Sequence, residues 1–115
     1  MIGHELRKAE RVRVYLDTIW NIGLESRPGI IRNISLSGCF VSTLEPVNLR
    51  DVVEVDVNAP AILRMTVRGA VVHRITGRGF AIRFGEMNVT EQRLLKLLLK
   101  MMKERESPTS VSSVS

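Results

Sequence analysis

Arg7 and Arg11 stand four residues apart in Arg7-Lys8-Ala9-Glu10-Arg11, just ahead of the first β-patterned run. Two guanidiniums so spaced in an irregular or extended segment can close on one flat anion from different sides. The planar fork of Arg matches phosphate oxygens and the O6/N7 edge of guanine, which Lys cannot engage bidentately. Taken alone, the spacing is better read as a solvated basic approach to a strand. A second segment, Asn33-Ile34-Ser35-Leu36-Ser37-Gly38, reads NxSxxG. Asn33 and Ser35 are two apart, so on a strand they share one face while Ile34 turns to the other, toward a core. That face offers an amide, a hydroxyl and, at Gly38, an unobstructed backbone. An Asn carbonyl can accept from guanine N–H groups, and a backbone N–H near Gly38 can donate to phosphate. Ser and Gly are also what any tight turn needs, Gly for a positive φ.

The rest of the inventory argues against catalysis. The two histidines, His4 and His73, share no metal-ligand spacing with acidic residues. Cys39, the only cysteine, has no base near it in sequence; it reads as a small packed side chain and leaves neither an internal disulfide nor a thiolate-rich metal site. Gly69, Gly77, Gly79 and Gly85 open no helix and cradle no phosphate. No enzyme and no cofactor are expected. A formal charge of +5 favours anionic partners. Neither a signal-peptide run nor a transmembrane-length apolar stretch occurs, so the expected location is the cytoplasm.

The elements that must position these residues are mostly strands. With 115 residues, 44% of them hydrophobic and few of them aromatic, the chain supports one domain whose core is Val, Ile, Leu and Met. Residues 11 to 20 alternate with period two, Val12, Val14, Leu16, Thr18 and Trp20 facing one way. Tyr15 and Ile19 weaken the alternation, as an outer face partly covered would explain. Residues 21 to 29 read as a turn or short loop. Strands follow at 30 to 34, at 39 to 42 after a hairpin around Gly38, and at 52 to 57. A longer one runs from 62 to 75 with a bulge or bend at Gly69, and a Thr-Gly-Arg-Gly turn leads into FAIRF. The expected fold is all-β, a six-stranded antiparallel barrel with one C-terminal α-helix. The helix is capped at Asn88 or Thr90. Its Leu/Met arc is wider than one core stripe needs, so it either lies deep against the barrel mouth or meets another chain, which leaves a homodimer through this helix open. The boundaries are an N-terminal ligand-clamping segment at 1–10, the barrel and helix at 11–106, and a Ser-rich disordered tail at 107–115.

RxxxR before strand one, NxSxxG between strands two and three, and the late segment VVHRITGRGFAIRF together resemble the PilZ domain family over most of the chain. Ser37 stands where that family often has Gly. The resemblance implies a receptor for cyclic di-GMP, with Arg7 and Arg11 gripping guanine and phosphate groups and Asn33, Ser35 and Gly38 forming the guanine-recognising turn. Binding would order the N-terminal segment and signal to an unidentified effector protein in motility, pili, biofilm or exopolysaccharide control. Two alternatives remain: a ligand-independent adaptor working through its helix, and a basic nucleic-acid-binding barrel. The scarcity of aromatics interleaved with basic residues makes nucleic acid the weaker alternative.

Overall fold

The protein is described here by a computed structural model covering residues 10–112. Six strands, β1 (Val12–Ile22), β2 (Glu25–Ile34), β3 (Gly38–Ser42), β4 (Val52–Ala59), β5 (Leu63–Ile75) and β6 (Gly79–Phe84), precede one helix, α1 (Val89–Ser112). All neighbouring strands pair antiparallel, and they close into a barrel in the order β1-β2-β3-β6-β5-β4. The period-two pattern is what allows this, because alternate residues of each strand fill the interior while the others meet solvent. Val53, Val55 and Val57 of β4, Ile31 and Ile34 of β2, and Phe80 and Ile82 of β6 all point inward and are buried. Trp20 and Phe80 meet edge to face, centroids 4.9 Å apart, and Trp20 Nε1 donates to the Pro28 carbonyl at 3.2 Å. Each fully buried Val, Ile, Leu or Phe contributes about 1.5–3 kcal/mol, so this aliphatic lining is the main source of stability.

Closure is uneven. β1 and β2 pair along nearly their whole lengths, whereas β1 and β4 pair only from Trp20↔Val55 to Ile22↔Val53. Beyond that ladder, Thr18 Oγ1 donates to the Asp56 carbonyl at 2.6 Å. Leu95 and Leu98 of α1 complete the core. The helix starts at a reciprocal capping box: Asn88 Oδ1 accepts from Glu91 N at 2.7 Å while Asn88 N donates to Glu91 Oε1 at 3.0 Å. Asn88 is therefore the cap, rather than Thr90.

Several expectations need correction. The loop expected at 21–29 is two strand ends joined by a tight turn, with β2 already running at Glu25. Pro28 is tolerated there because β3 pairs with β2 only from Ile30, so no ladder bond is required of the proline on that side. The bulge in β5 lies between Val71 and His73, and not at Gly69. Gly69 is instead a point of close approach, where a Cβ would sit 2.3 Å from the Arg83 carbonyl oxygen. Tyr15 and Ile19 are exposed, not covered. Helix α1 is assigned to Val89–Ser112.

Candidate functional site

The NxSxxG segment spans the end of β2, a three-residue bend and the first residue of β3. Between Ile31 and Asn33 the β2–β3 register slips, so that Arg32 is an extra residue on β2. The bulge lets Ile31 and Ile34 both enter the core, which a strict period of two forbids, and leaves Arg32 and Asn33 together on the outer face. A second slip lies directly opposite, between Arg13 and Leu16 of β1, where Val14 and Tyr15 face Arg32 alone. Two irregularities therefore meet at Arg32, whose guanidinium carbon lies 5.4 Å from the Tyr15 ring centroid, within cation–π range.

Ser35 is 1% exposed, and its hydroxyl is occupied inside the bend. Its Oγ accepts from Ser37 N at 3.1 Å and from Gly38 N at 3.2 Å, while Ser35 N donates to the Gly38 carbonyl at 2.8 Å. Ser35 thus holds the turn's shape from beneath, and it does not share Asn33's open face as strand alternation suggested. Gly38 is not at positive φ. It is glycine because an added Cβ would lie 2.1 Å from the Ile82 carbonyl oxygen of β6. Its own N–H donates to Ser35 Oγ at 3.2 Å, so it is not the N–H near this position that would meet a phosphate. The turn is locked to the barrel by Phe84 N, which donates to the Ser37 carbonyl at 2.8 Å.

Arg11 joins the first motif to the second. Its Nη1 donates to Asn33 Oδ1 at 2.8 Å on the outer surface, and Arg13 is the cross-strand neighbour of Asn33. Arg7 lies outside the described residues, as does most of the segment expected at 1–10. Glu10, between the two motif arginines, accepts from Lys103 Nζ of α1 at 2.9 Å, which ties the start of the barrel to the helix. Arg11 retains most of its five donors after serving Asn33, and the Asn33 carbonyl oxygen retains a lone pair. The pair forms an exposed cationic acceptor–donor edge able to receive a purine and a phosphate.

Behind the pair lies Cys39, buried at 1% exposure. Burial pushes its thiol up to about 12, with the Arg11 charge pulling in the opposite sense. The side chain is a core filler, as expected from its surroundings in sequence. Among the described residues no three His, Cys, Asp or Glu side chains gather as metal ligands, and no helix is long and apolar enough to cross a membrane. Sequence reasoning missed Arg32, Tyr15 and Arg13. The apolar spacing of three between Ile31 and Ile34 was the available sign that a bulge places Arg32 beside Asn33.

No curated protein matches the chain in sequence. Solved structures do match in fold. The PilZ domain of CeSA from a cellulose-synthesizing bacterium aligns with TM-score 0.69 at 14% identity, covering 83% of this chain and 99% of that one. The Bacillus subtilis inhibitor of motility MotI/DgrA aligns with TM-score 0.71 at 16% identity, covering 89% and 51%. The K. pneumonia MrkH–c-di-GMP complex aligns with TM-score 0.71 at 17% identity, covering 89% and 55%. The chain thus spans about half the length of the latter two. The closed barrel, the arginine ahead of β1 and the locked NxSxxG turn agree with the match of the PilZ domain model to residues 5–100, and the chain belongs to the PilZ domain family.

Proposed function

We propose that this protein is a cyclic di-GMP receptor and not a catalyst, and that it holds the ligand on the outside of the barrel between the arginine segment and the Asn33 turn. The observation that carries this reading is the Arg11–Asn33 hydrogen bond, which brings the two sequence motifs into one exposed edge. The ligand's guanine meets the Asn33 carbonyl and an arginine fork, and a phosphate meets the remaining guanidinium donors of Arg11 and Arg7. Ser35 and Gly38 act by fixing the turn that presents Asn33. Support comes from relatives of the same fold: MrkH was solved with c-di-GMP, and so was Borreliella burgdorferi PlzA, which aligns at TM-score 0.65 and 11% identity.

A micromolar ligand requires about 8 kcal/mol, and charged hydrogen bonds supply roughly 1.5–3 kcal/mol each, so a handful of contacts suffices. The bound ligand bridges residues 1–10 to the barrel and orders them, and an effector protein in the cytoplasm reads that change. Motility and polysaccharide synthesis are the candidate outputs, in keeping with the relatives named above. The test is isothermal titration with cyclic di-GMP, with Arg7→Ala/Arg11→Ala in parallel. Saturable binding that the double substitution abolishes supports the receptor; equal affinity in both proteins refutes it.

A second reading, a ligand-independent adaptor, is favoured by one feature. Leu97 and Met101 of α1 remain exposed one turn apart, beside the side that Leu95 and Leu98 bury. Under this reading the parent protein shows no heat of binding, and substitution of Leu97 alone disturbs partner association.

A further inference from the structure

The cross-strand register continues the Asn33 level across the barrel. Asn33 faces Phe40, Phe40 faces Ala81, and Ala81 faces His73. The next outward row is Ile30, Ser42, Gly79 and Ile75. Along these rows lies an open groove of about 500 Å³, lined among others by Arg32, Phe40, Ser42, Thr43, Ile75 and Arg78, within the range of small-molecule sites.

Two guanidiniums flank it. Arg32 is thrust outward by the paired bulges and backed by Tyr15. At the other end Arg78 sits in a turn pinned by its own carbonyl, which accepts from Thr43 N at 3.0 Å and Ser42 Oγ at 3.2 Å. Among the described residues no ion pair involves Arg32 or Arg78. A Phe face, an apolar wall and two free forks suit a purine joined to a phosphate. The groove opens directly beside Asn33. It extends about 7 Å along the strands and about 10 Å across them from that residue, more than one nucleotide occupies and what a second nucleotide in the same ring needs.

We propose that this groove is a second guanylate subsite, taking the far half of the same cyclic dinucleotide whose near half meets Arg11 and Asn33. The proposal rests on the receptor reading above. Arg78 meets the far phosphate or guanine edge, Phe40 packs on the base, and Arg32 stands between the halves.

The test is titration calorimetry of the whole chain with cyclic di-GMP, comparing the parent with Arg11→Ala, Arg32→Ala/Arg78→Ala and Arg32→Lys/Arg78→Lys. The alanine pair is expected to weaken binding about tenfold or more with one ligand per chain as in the parent. Because both side chains are exposed, its ligand-free melting temperature should match the parent's. The lysine pair, which keeps charge but loses the fork, should fall between. If the alanine pair binds like the parent while Arg11→Ala does not, the groove proposal fails and the receptor reading stands. If the parent takes two ligands and the alanine pair takes one, the groove holds a separate molecule and the proposal is overturned. A parent that does not bind cyclic di-GMP sinks both.

Discussion

Substituting Gly38 by Ala tests whether the motif glycine serves the barrel before it serves a ligand. An ideal Cβ at Gly38 would lie 2.1 Å from the Ile82 carbonyl oxygen, a backbone atom that cannot rotate away. Carbon–oxygen contacts need about 3.3 Å, so β3 and β6 must part by roughly 1 Å where they adjoin the turn. At that displacement the bond from Phe84 N to the Ser37 carbonyl, now 2.8 Å, and the Gly38↔Arg83 pairing that ends the β3–β6 ladder are pulled out of hydrogen-bonding range. Two buried or half-buried backbone bonds at about 1–3 kcal/mol each, less about 0.4–1 kcal/mol gained by stiffening the unfolded chain, give a net loss of about 1–5.6 kcal/mol. For a domain of this size that is a fall in Tm of about 4–22 °C. Thermal unfolding followed by circular dichroism measures it, with Gly77→Ala as the comparison. Gly77 has a φ of 77° but nothing within 4 Å of its would-be Cβ, so alanine there carries only the left-handed backbone cost of about 1–2 kcal/mol. A Tm for Gly38→Ala within about 3 °C of the parent would show that the strands yield easily and that the close-approach reasoning is wrong.

Ser35→Ala removes the acceptor for two backbone N–H groups and should cost about 1–3 kcal/mol; a denaturant titration with an unchanged midpoint would contradict this. Asn88→Ala, which breaks the capping box, should cost about 1 kcal/mol by the same measurement and leave ligand affinity alone. Cys39 should resist alkylation at pH 8 in the native protein and react once guanidinium unfolds it, as mass spectrometry of the adduct reports; equal rates in both states would refute its burial. The same thiol bears on alkaline stability. With its folded value raised from 9.0 to about 12, the unfolded chain releases the proton first, so the contribution is whole below pH 9 and is lost as pH rises toward 12. Cys39→Ser should flatten that part of a pH–Tm curve.

The strands were legible because alternation is enforced by a two-sided wall: β4 reads Val-x-Val-x-Val from 53 to 57, and every Val is buried. The helix was legible for the complementary reason, a change of period after Gly85, while the choice between Asn88 and Thr90 as its cap waited on the bonds to Glu91. What escaped were positions where the pairing partner decides. Pro28 reads as a breaker in isolation and is harmless only because β3 is too short to reach it. Gly69 reads as a bulge, yet the extra residue is Val72, a choice set by where β6 lies. Sequence singled out Arg11 and Asn33 but could not show that they meet, and the separate duties of Ser35 and Gly38 were not legible. Whether a hydroxyl faces outward or supports a turn depends on a bend that strand alternation does not describe, and the close passage of Ile82 comes from a strand more than forty residues away.

The short β1–β4 ladder is the barrel's zip. It is the shortest ladder of the ring: Trp20, Asn21 and Ile22 pair with Val55, Glu54 and Val53, and Thr18 Oγ1 reaches the Asp56 carbonyl beyond them, whereas β4 and β5 pair all the way from Val52↔Ala70 to Ala59↔Leu63. Opening therefore starts at this seam, and its amides exchange with solvent before those of β4–β5. Leu95 and Leu98 are packed into the core from a helix that lies against β1 and β5, and so steady one side of this seam. A chain cut before Val89 would lose Leu95 and Leu98 from the core and leave this short ladder to keep the ring closed, so that a neighbour's strand could enter the seam and an exchanged dimer or a growing aggregate follow.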